Sequence, residues 1–98
     1  MNQNNNNYNI KGKNILITGA SGLIGRHIAQ TFLSQGCNLA LLDFGKKNID
    51  DLKIILKNFS KKSYNIYNTD ISKENELKKC IKDVFKKLGT IDSVIHLA

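Results

Sequence analysis

The sequence predicts an α/β fold, a doubly wound parallel sheet with about four strands in the order β-α-β-α-β-α-β. Three observations carry this expectation. Four short apolar runs lack the strict alternation of a half-solvated sheet, as strands buried on both faces do. The stretches between them repeat their apolar residues with helical period. Proline is absent throughout and the connections are short. Right-handed crossovers then leave few topologies, and the natural one has spatial order 3-2-1-4.

Asn14 to Thr18 reads as the first buried strand. Leu23 to Gln35 follows as a helix, with Leu23, Ile24, Ile28, Phe32 and Leu33 on one face, and Gly36 supplies the left-handed residue that commonly ends a helix. Asn38 to Asp43, NLALLD, is the second strand. Asn48 is placed to cap the second helix, with Asp50 and Asp51 near its positive end. Ile49, Leu52, Ile55, Leu56 and Phe59 form the inner stripe of that helix. Ser63 to Asn68 is a weaker third strand built on Tyr64, Ile66 and Tyr67. Ser72 is placed to cap a third helix whose inner face is Leu77, Ile81, Val84, Phe85 and Leu88, closed by Gly89. Ile91 to Ala98 is the fourth strand.

At 98 residues the chain suits one small domain. Residues 1–10 are expected to form a disordered, asparagine-rich tail, and residues 11–98 the folded part, with no internal repeat. The N-terminus has none of the three parts of a secretory signal, and no apolar run is long enough to cross a membrane. Cytoplasmic location is the expectation. The net charge of +7 is almost entirely lysine, spread over outer helix faces, and Arg26 is the one arginine. No basic stripe interleaved with aromatics forms a groove reader, so nucleic acid is not an expected partner. Cys37 and Cys80 fit no metal spacing and read as reduced packing residues.

Chemistry gathers at TGASGLIG, Thr18 to Gly25, between the first strand and the first helix. Gly19, Gly22 and Gly25 stand as G-x-x-G-x-x-G. A helix N-terminus offers unpaired N–H groups and a favourable dipole to a phosphate. Glycine lets the chain turn tightly and a pyrophosphate approach the backbone. Gly25 is expected to let the helix pack closely on the sheet, and Ser21 to add a hydroxyl hydrogen bond. Asp43 ends the second strand 24 positions after Gly19, near the offset of ~20 residues at which a carboxylate receives a ribose 2′-hydroxyl. A carboxylate there repels a 2′-phosphate, which favours NAD over NADP, while Lys46 and Lys47 close by would soften that preference. The bland alternative is a ligand-free turn followed by a strand-end aspartate.

TGASGLIG resembles the TGxxGxxG cofactor motif of the short-chain dehydrogenases/reductases, which have a Rossmann-like fold, in the spacing of extended members such as nucleotide-sugar epimerases. Other members more often show TGxxxGxG, which would need glycine at Leu23. The resemblance continues through Asp43, the segment Thr69, Asp70 and Ile71, and the final IDSVIHLA, and so covers residues 11 to 98. It implies that Gly19, Ser21, Gly22, Leu23, Ile24 and Gly25 contact the dinucleotide. It also implies that Asp70 accepts a hydrogen bond from the adenine amino group, Ile71 packs on the ring, and the backbone of Leu97 and Ala98 follows the adenosine ribose. Asp70 also reads as a D-x-S residue that opens a helix, a role compatible with the first. His96 reads as structural or cofactor-adjacent, His27 as a surface residue, and Arg26 as a side chain within reach of the pyrophosphate.

The family's acid/base tyrosine lies in Tyr-x-x-x-Lys. Here Tyr8, Tyr64 and Tyr67 are followed four positions later by Gly12, Asn68 and Ile71, so no residue of this chain is assigned a catalytic role. An apolar edge strand at Val94 to Ala98 would be an aggregation liability. The expectation is therefore the cofactor-binding half of a longer oxidoreductase, or a truncated product of one. The parent enzyme would move hydride between a nicotinamide and a carbonyl or alcohol carbon, in one version on a nucleotide-activated sugar. A small-molecule substrate would bind only if the chain continues, and a homo-oligomer would belong to the full-length parent. A non-catalytic dinucleotide-binding module and an inactive remnant are the alternatives.

Overall fold

The computed structural model describes residues 9–98. The asparagine tract and Tyr8 therefore lie outside the described residues, while Ile10, expected within the tail, packs partly buried against the core. Seven elements alternate: β1 Asn14–Thr18, α1 Leu23–Ser34, β2 Asn38–Asp43, α2 Lys46–Ile55, β3 Tyr64–Asn68, α3 Glu74–Leu88 and β4 Ser93–His96. The strands form one parallel sheet in the order β3-β2-β1-β4. In register, Ile17 lies between Leu41 and Ile95, and Thr18 between Leu42 and His96. The expected architecture and strand order are both present.

Side chains alternate across the sheet, so β1, β2 and β3 each feed two cores. Ile15, Ile17, Leu39 and Leu41 face one side, where Ala29 and Leu33 of α1, Leu52 of α2 and Leu56 at the C-cap of α2 close over them. Leu16, Ala40 and Leu42 face the other side, against Cys80 and Val84 of α3. Each fully buried leucine or isoleucine contributes about 1.5–3 kcal/mol relative to exposure. Both cysteines are buried thiols within these cores, as packing residues should be. The C-terminus of α1 closes as the glycine signal implied. Gly36 sits at φ +84° and donates to the Leu33 carbonyl, while the Cys37 N–H donates to the Phe32 carbonyl. This is the paired Schellman closure.

Several local expectations are corrected. Gly45, not Asn48, is the N-cap of α2, and Asn48 is the third helical residue. Its amide donates backwards to the Phe44 carbonyl at 2.8 Å instead of accepting from the helix start. With the start moved forward, the first turn of α2 holds no acid. Asp50 and Asp51 pair with Lys46 and Lys47 instead. Lys73, not Ser72, is the N-cap of α3, because the Ser72 hydroxyl is committed to Asp70. Leu23 and Ile24 are exposed rather than on the inner face of α1, whose buried residues are Gly25, Ala29 and Leu33. In the first turn of α1 the buried position is Gly25, packed against Gly19 and Ala20, which leaves Leu23 and Ile24 facing away. Phe85 is half exposed at the rim of α3, and β4 is shorter than expected, Ser93–His96.

Candidate functional site

The C-terminal ends of β1, β2 and β4 meet around the glycine turn, the edge of a parallel sheet at which ligands ordinarily bind. Gly19 adopts φ +71°, a conformation that side chains rarely tolerate. A β-carbon at Gly19 would lie 2.9 Å from both the Ala98 nitrogen and the Leu97 carbonyl carbon. The turn and the residues after β4 are thus in direct backbone contact. At Gly25 a β-carbon would overlap the Gly19 carbonyl oxygen and stand 2.8 Å from the Ala20 Cα. The close approach that Gly25 permits is therefore to the turn itself, not to the strands.

Gly22 differs from both. Its backbone is extended, at φ −66° and ψ 168°, which any residue adopts. A β-carbon there would meet only the Gly19 oxygen, at an ordinary 3.5 Å. No contact among the described residues requires glycine at this position. Gly22 is exposed, so the missing β-carbon leaves its backbone open to the close approach of a phosphate. Gly22 is also the N-cap of α1, without a side-chain cap and with no acid in the first turn. The first-turn N–H groups of Leu23 and Ile24 meet no protein acceptor among the described residues. Those donors and the positive end of the helix dipole suit an anion. Leu23 and Ile24 would contribute these N–H groups, since their side chains point to solvent.

Ser21 is held from three sides. Its N–H and hydroxyl both donate to Asp43 Oδ2, at 2.8 and 2.7 Å. Its carbonyl accepts from Nε and Nη2 of Arg26, at 3.0 and 2.6 Å. The Ser21 hydroxyl expected at a phosphate and the Arg26 fork expected at a pyrophosphate are instead spent on fixing the turn. On the other carboxylate oxygen, Asp43 Oδ1 accepts from the Phe44 N–H at 2.8 Å and from Asn48 Nδ2 at 3.2 Å. Burial alone would raise the Asp43 pKa. The hydrogen bonds from Ser21, Phe44 and Asn48 outweigh it and hold the carboxyl below its ordinary value. Lys46 and Lys47 are turned along α2 to Asp50 and Asp51, at 2.6 and 3.0 Å, in exposed pairs of the weak i,i+4 kind.

Asp70 and Ile71 lie on the opposite face of the sheet from α1. They line a largely apolar groove of about 880 Å³ together with His96, Ala98 and the rim residues Phe85 and Val94. Asp70 Oδ1 accepts from the Ser72 hydroxyl and N–H, which lower its pKa. The helix-opening reading of Asp70 is visible here as a local turn. His96 Nδ1 is 2.6 Å from the Thr18 hydroxyl, which also accepts from the Leu97 N–H at 3.1 Å. That contact makes His96 a structural tie between the ends of β1 and β4, while His27 is exposed on α1. The structure thus brings Gly19, Ser21, Gly22, Asp43, Leu97 and Ala98 together and sets Asp70 and Ile71 on the neighbouring groove. Sequence reasoning missed Asn48 and Thr18 as members of the site. The parallel register could have found Thr18, because it places Thr18 opposite His96.

Comparison with known proteins accords with this geometry. The family model of the short chain dehydrogenases matches residues 13–98. An Arabidopsis thaliana 11-beta-hydroxysteroid dehydrogenase, 1A, is 28% identical over 90 residues, 92% of this chain and 26% of the relative. A UDP-glucose 4-epimerase of Yersinia enterocolitica is 39% identical over 85 residues, 86% of this chain and 24% of the relative. Among solved structures, a 3-ketoacyl-(acyl-carrier-protein) reductase from Brucella melitensis, complexed with NADH, superposes with a TM-score of 0.74 at 25% identity. That match covers 87% of this chain and 33% of the other. The chain thus spans about a quarter to a third of the length of these proteins.

Proposed function

The chain belongs to the short-chain dehydrogenase family, and from that premise we propose that residues 13–98 bind NAD(H) as the cofactor part of an oxidoreductase. The single observation that carries the reading is Gly22, a glycine with no internal reason to be one, at an uncapped helix N-terminus. In this reading the N–H groups of Leu23 and Ile24 take the pyrophosphate, and Asp43 takes the adenosine ribose. Gly19 keeps the backbone of Leu97 and Ala98 against the turn. Asp70 receives the adenine amino group and Ile71 packs on the ring. Asp43, as a carboxylate, supports NAD over NADP, and the pairing of Lys46 and Lys47 with acids on their own helix supports it further.

The bound nicotinamide supplies hydride transfer to or from a carbonyl or alcohol carbon. The described residues bind and orient it. Tyr64 donates its hydroxyl to the buried Leu56 carbonyl at 3.1 Å, and burial pushes the Tyr67 hydroxyl pKa up. Neither is set up as a proton donor to substrate.

The test is Gly22→Ala. The added methyl has room in the protein, so the thermal midpoint should stay close to wild type. Affinity for NADH, measured by fluorescence titration, should fall at least tenfold. Equal NADH affinity in the two proteins would overturn the assignment.

A further inference from the structure

The Asp43 carboxylate is already full. An ionised carboxylate has about four lone-pair positions. Ser21 N–H and Oγ–H occupy two on Oδ2, and Phe44 N–H and Asn48 Nδ2 occupy two on Oδ1. A ribose hydroxyl that donates to Asp43 therefore cannot simply add to it and must replace a donor already there. Two of the four are backbone groups, at 2.8 Å, fixed by the chain. The Ser21 hydroxyl is close, at 2.7 Å, on a residue whose peptide is also clamped by Arg26. The Asn48 amide is the longest contact, at 3.2 Å.

Asn48 also loses least by yielding. Its nitrogen donates a second hydrogen to the Phe44 carbonyl at 2.8 Å, so the side chain stays anchored when the Asp43 contact breaks. Both neighbours of that nitrogen are acceptors, which fixes which end of the amide faces them. Asn48 is half-buried, so the freed hydrogen is open to water or to the ribose. The other three donors hold the carboxylate in place throughout.

We propose that Asn48 is a specificity-determining residue of the ribose site, its amide occupying the position on Asp43 that a ribose hydroxyl takes. This rests on the NAD reading above and goes beyond it by making binding an exchange of donors. A 2′-phosphate carries no dependable proton to donate at neutral pH, so it cannot make the exchange and meets the carboxylate unrelieved. Removing the amide should therefore help a ribose diol and leave a 2′-phosphate where it was.

The experiment measures Kd for NADH and NADPH with wild type and Asn48→Ala. A net hydrogen bond of ordinary size corresponds to about a two- to tenfold change in affinity. NADH should bind tighter by that factor in the variant, with NADPH changed less than twofold. In wild type, the two side-chain amide proton resonances of Asn48 should separate on saturation with NADH, one moving and one keeping its bonded shift. This second readout needs no variant to fold. NADH affinity unchanged or weakened in Asn48→Ala, or amide resonances that do not move, overturns the inference while the cofactor reading stands. A wild-type chain that binds neither dinucleotide overturns both.

Discussion

Replacing Gly25 with alanine adds one methyl where the turn's own backbone leaves no room. The new carbon would overlap the Gly19 carbonyl oxygen and lie 2.8 Å and 2.9 Å from the Ala20 Cα and carbonyl oxygen. Every one of these neighbours is main chain, so no side chain can rotate out of the way. Forcing such a methyl into packed surroundings costs about 1–3 kcal/mol, at times more. Alanine returns about 1 kcal/mol through its better helix propensity. Because every contact is main chain, the clash falls in the upper part of that range, about 2–3 kcal/mol, and the balance is a loss of about 1–2 kcal/mol. For a domain of this size each kcal/mol moves the midpoint by about 4–8 °C. Thermal denaturation followed by circular dichroism should therefore show a drop of roughly 5–15 °C. A midpoint equal to or above wild type would refute the account, because propensity would then have prevailed over a contact said to be rigid.

Two further outcomes follow from the titratable groups. Asp43 has a folded pKa below its ordinary 3.8, so the stability it contributes is full above that value and lost as pH falls through the folded pKa. The gap in thermal midpoint between wild type and Asp43→Asn should hold steady from pH 7 to pH 5 and shrink below about pH 4; a gap independent of pH would refute the carboxylate's role. Burial, with a smaller contribution from Asp83, pushes the Cys80 thiol up to about 11, and burial raises Cys37 as well. At pH 8 both thiols should label with iodoacetamide only as fast as the chain opens, and rapid labelling of native protein would contradict their burial.

How much of this was legible beforehand depended on whether the cause was local. The strands were readable because NILIT and NLALLD are buried on both faces and need little beyond apolar side chains. The end of α1 was readable because Gly36 marks it within three residues. Asn48 and Ser72 were misplaced as caps for the opposite reason. Each is an ordinary capping residue in the right neighbourhood, but each found a stronger partner just upstream, at Phe44 or Asp70. Leu23 and Ile24 kept the helical period, yet the first turn of α1 buries Gly25 against the glycine turn and leaves them exposed. Gly25, which is buried, carries no hydropathy signal at all. The saturation of Asp43 was out of reach, since its donors come from the glycine turn, the end of β2 and the first turn of α2. Only folding brings those three segments to one carboxylate.

The place of β1 in the sheet also has a consequence in time. β1 lies between β2 and β4, so one of its partners is made soon after it and the other only after α2, β3 and α3. Roughly 50 residues separate the end of β2 from the start of β4. At ~5–20 residues per second of synthesis, the far flank of β1 waits roughly 3–10 s for its partner. Throughout that interval the backbone from Ile15 to Thr18 presents unpaired groups beside an apolar face, the combination that recruits strands from other chains. The nascent chain is thus most vulnerable between the synthesis of β2 and that of β4, while the site at the end of β1 is half walled.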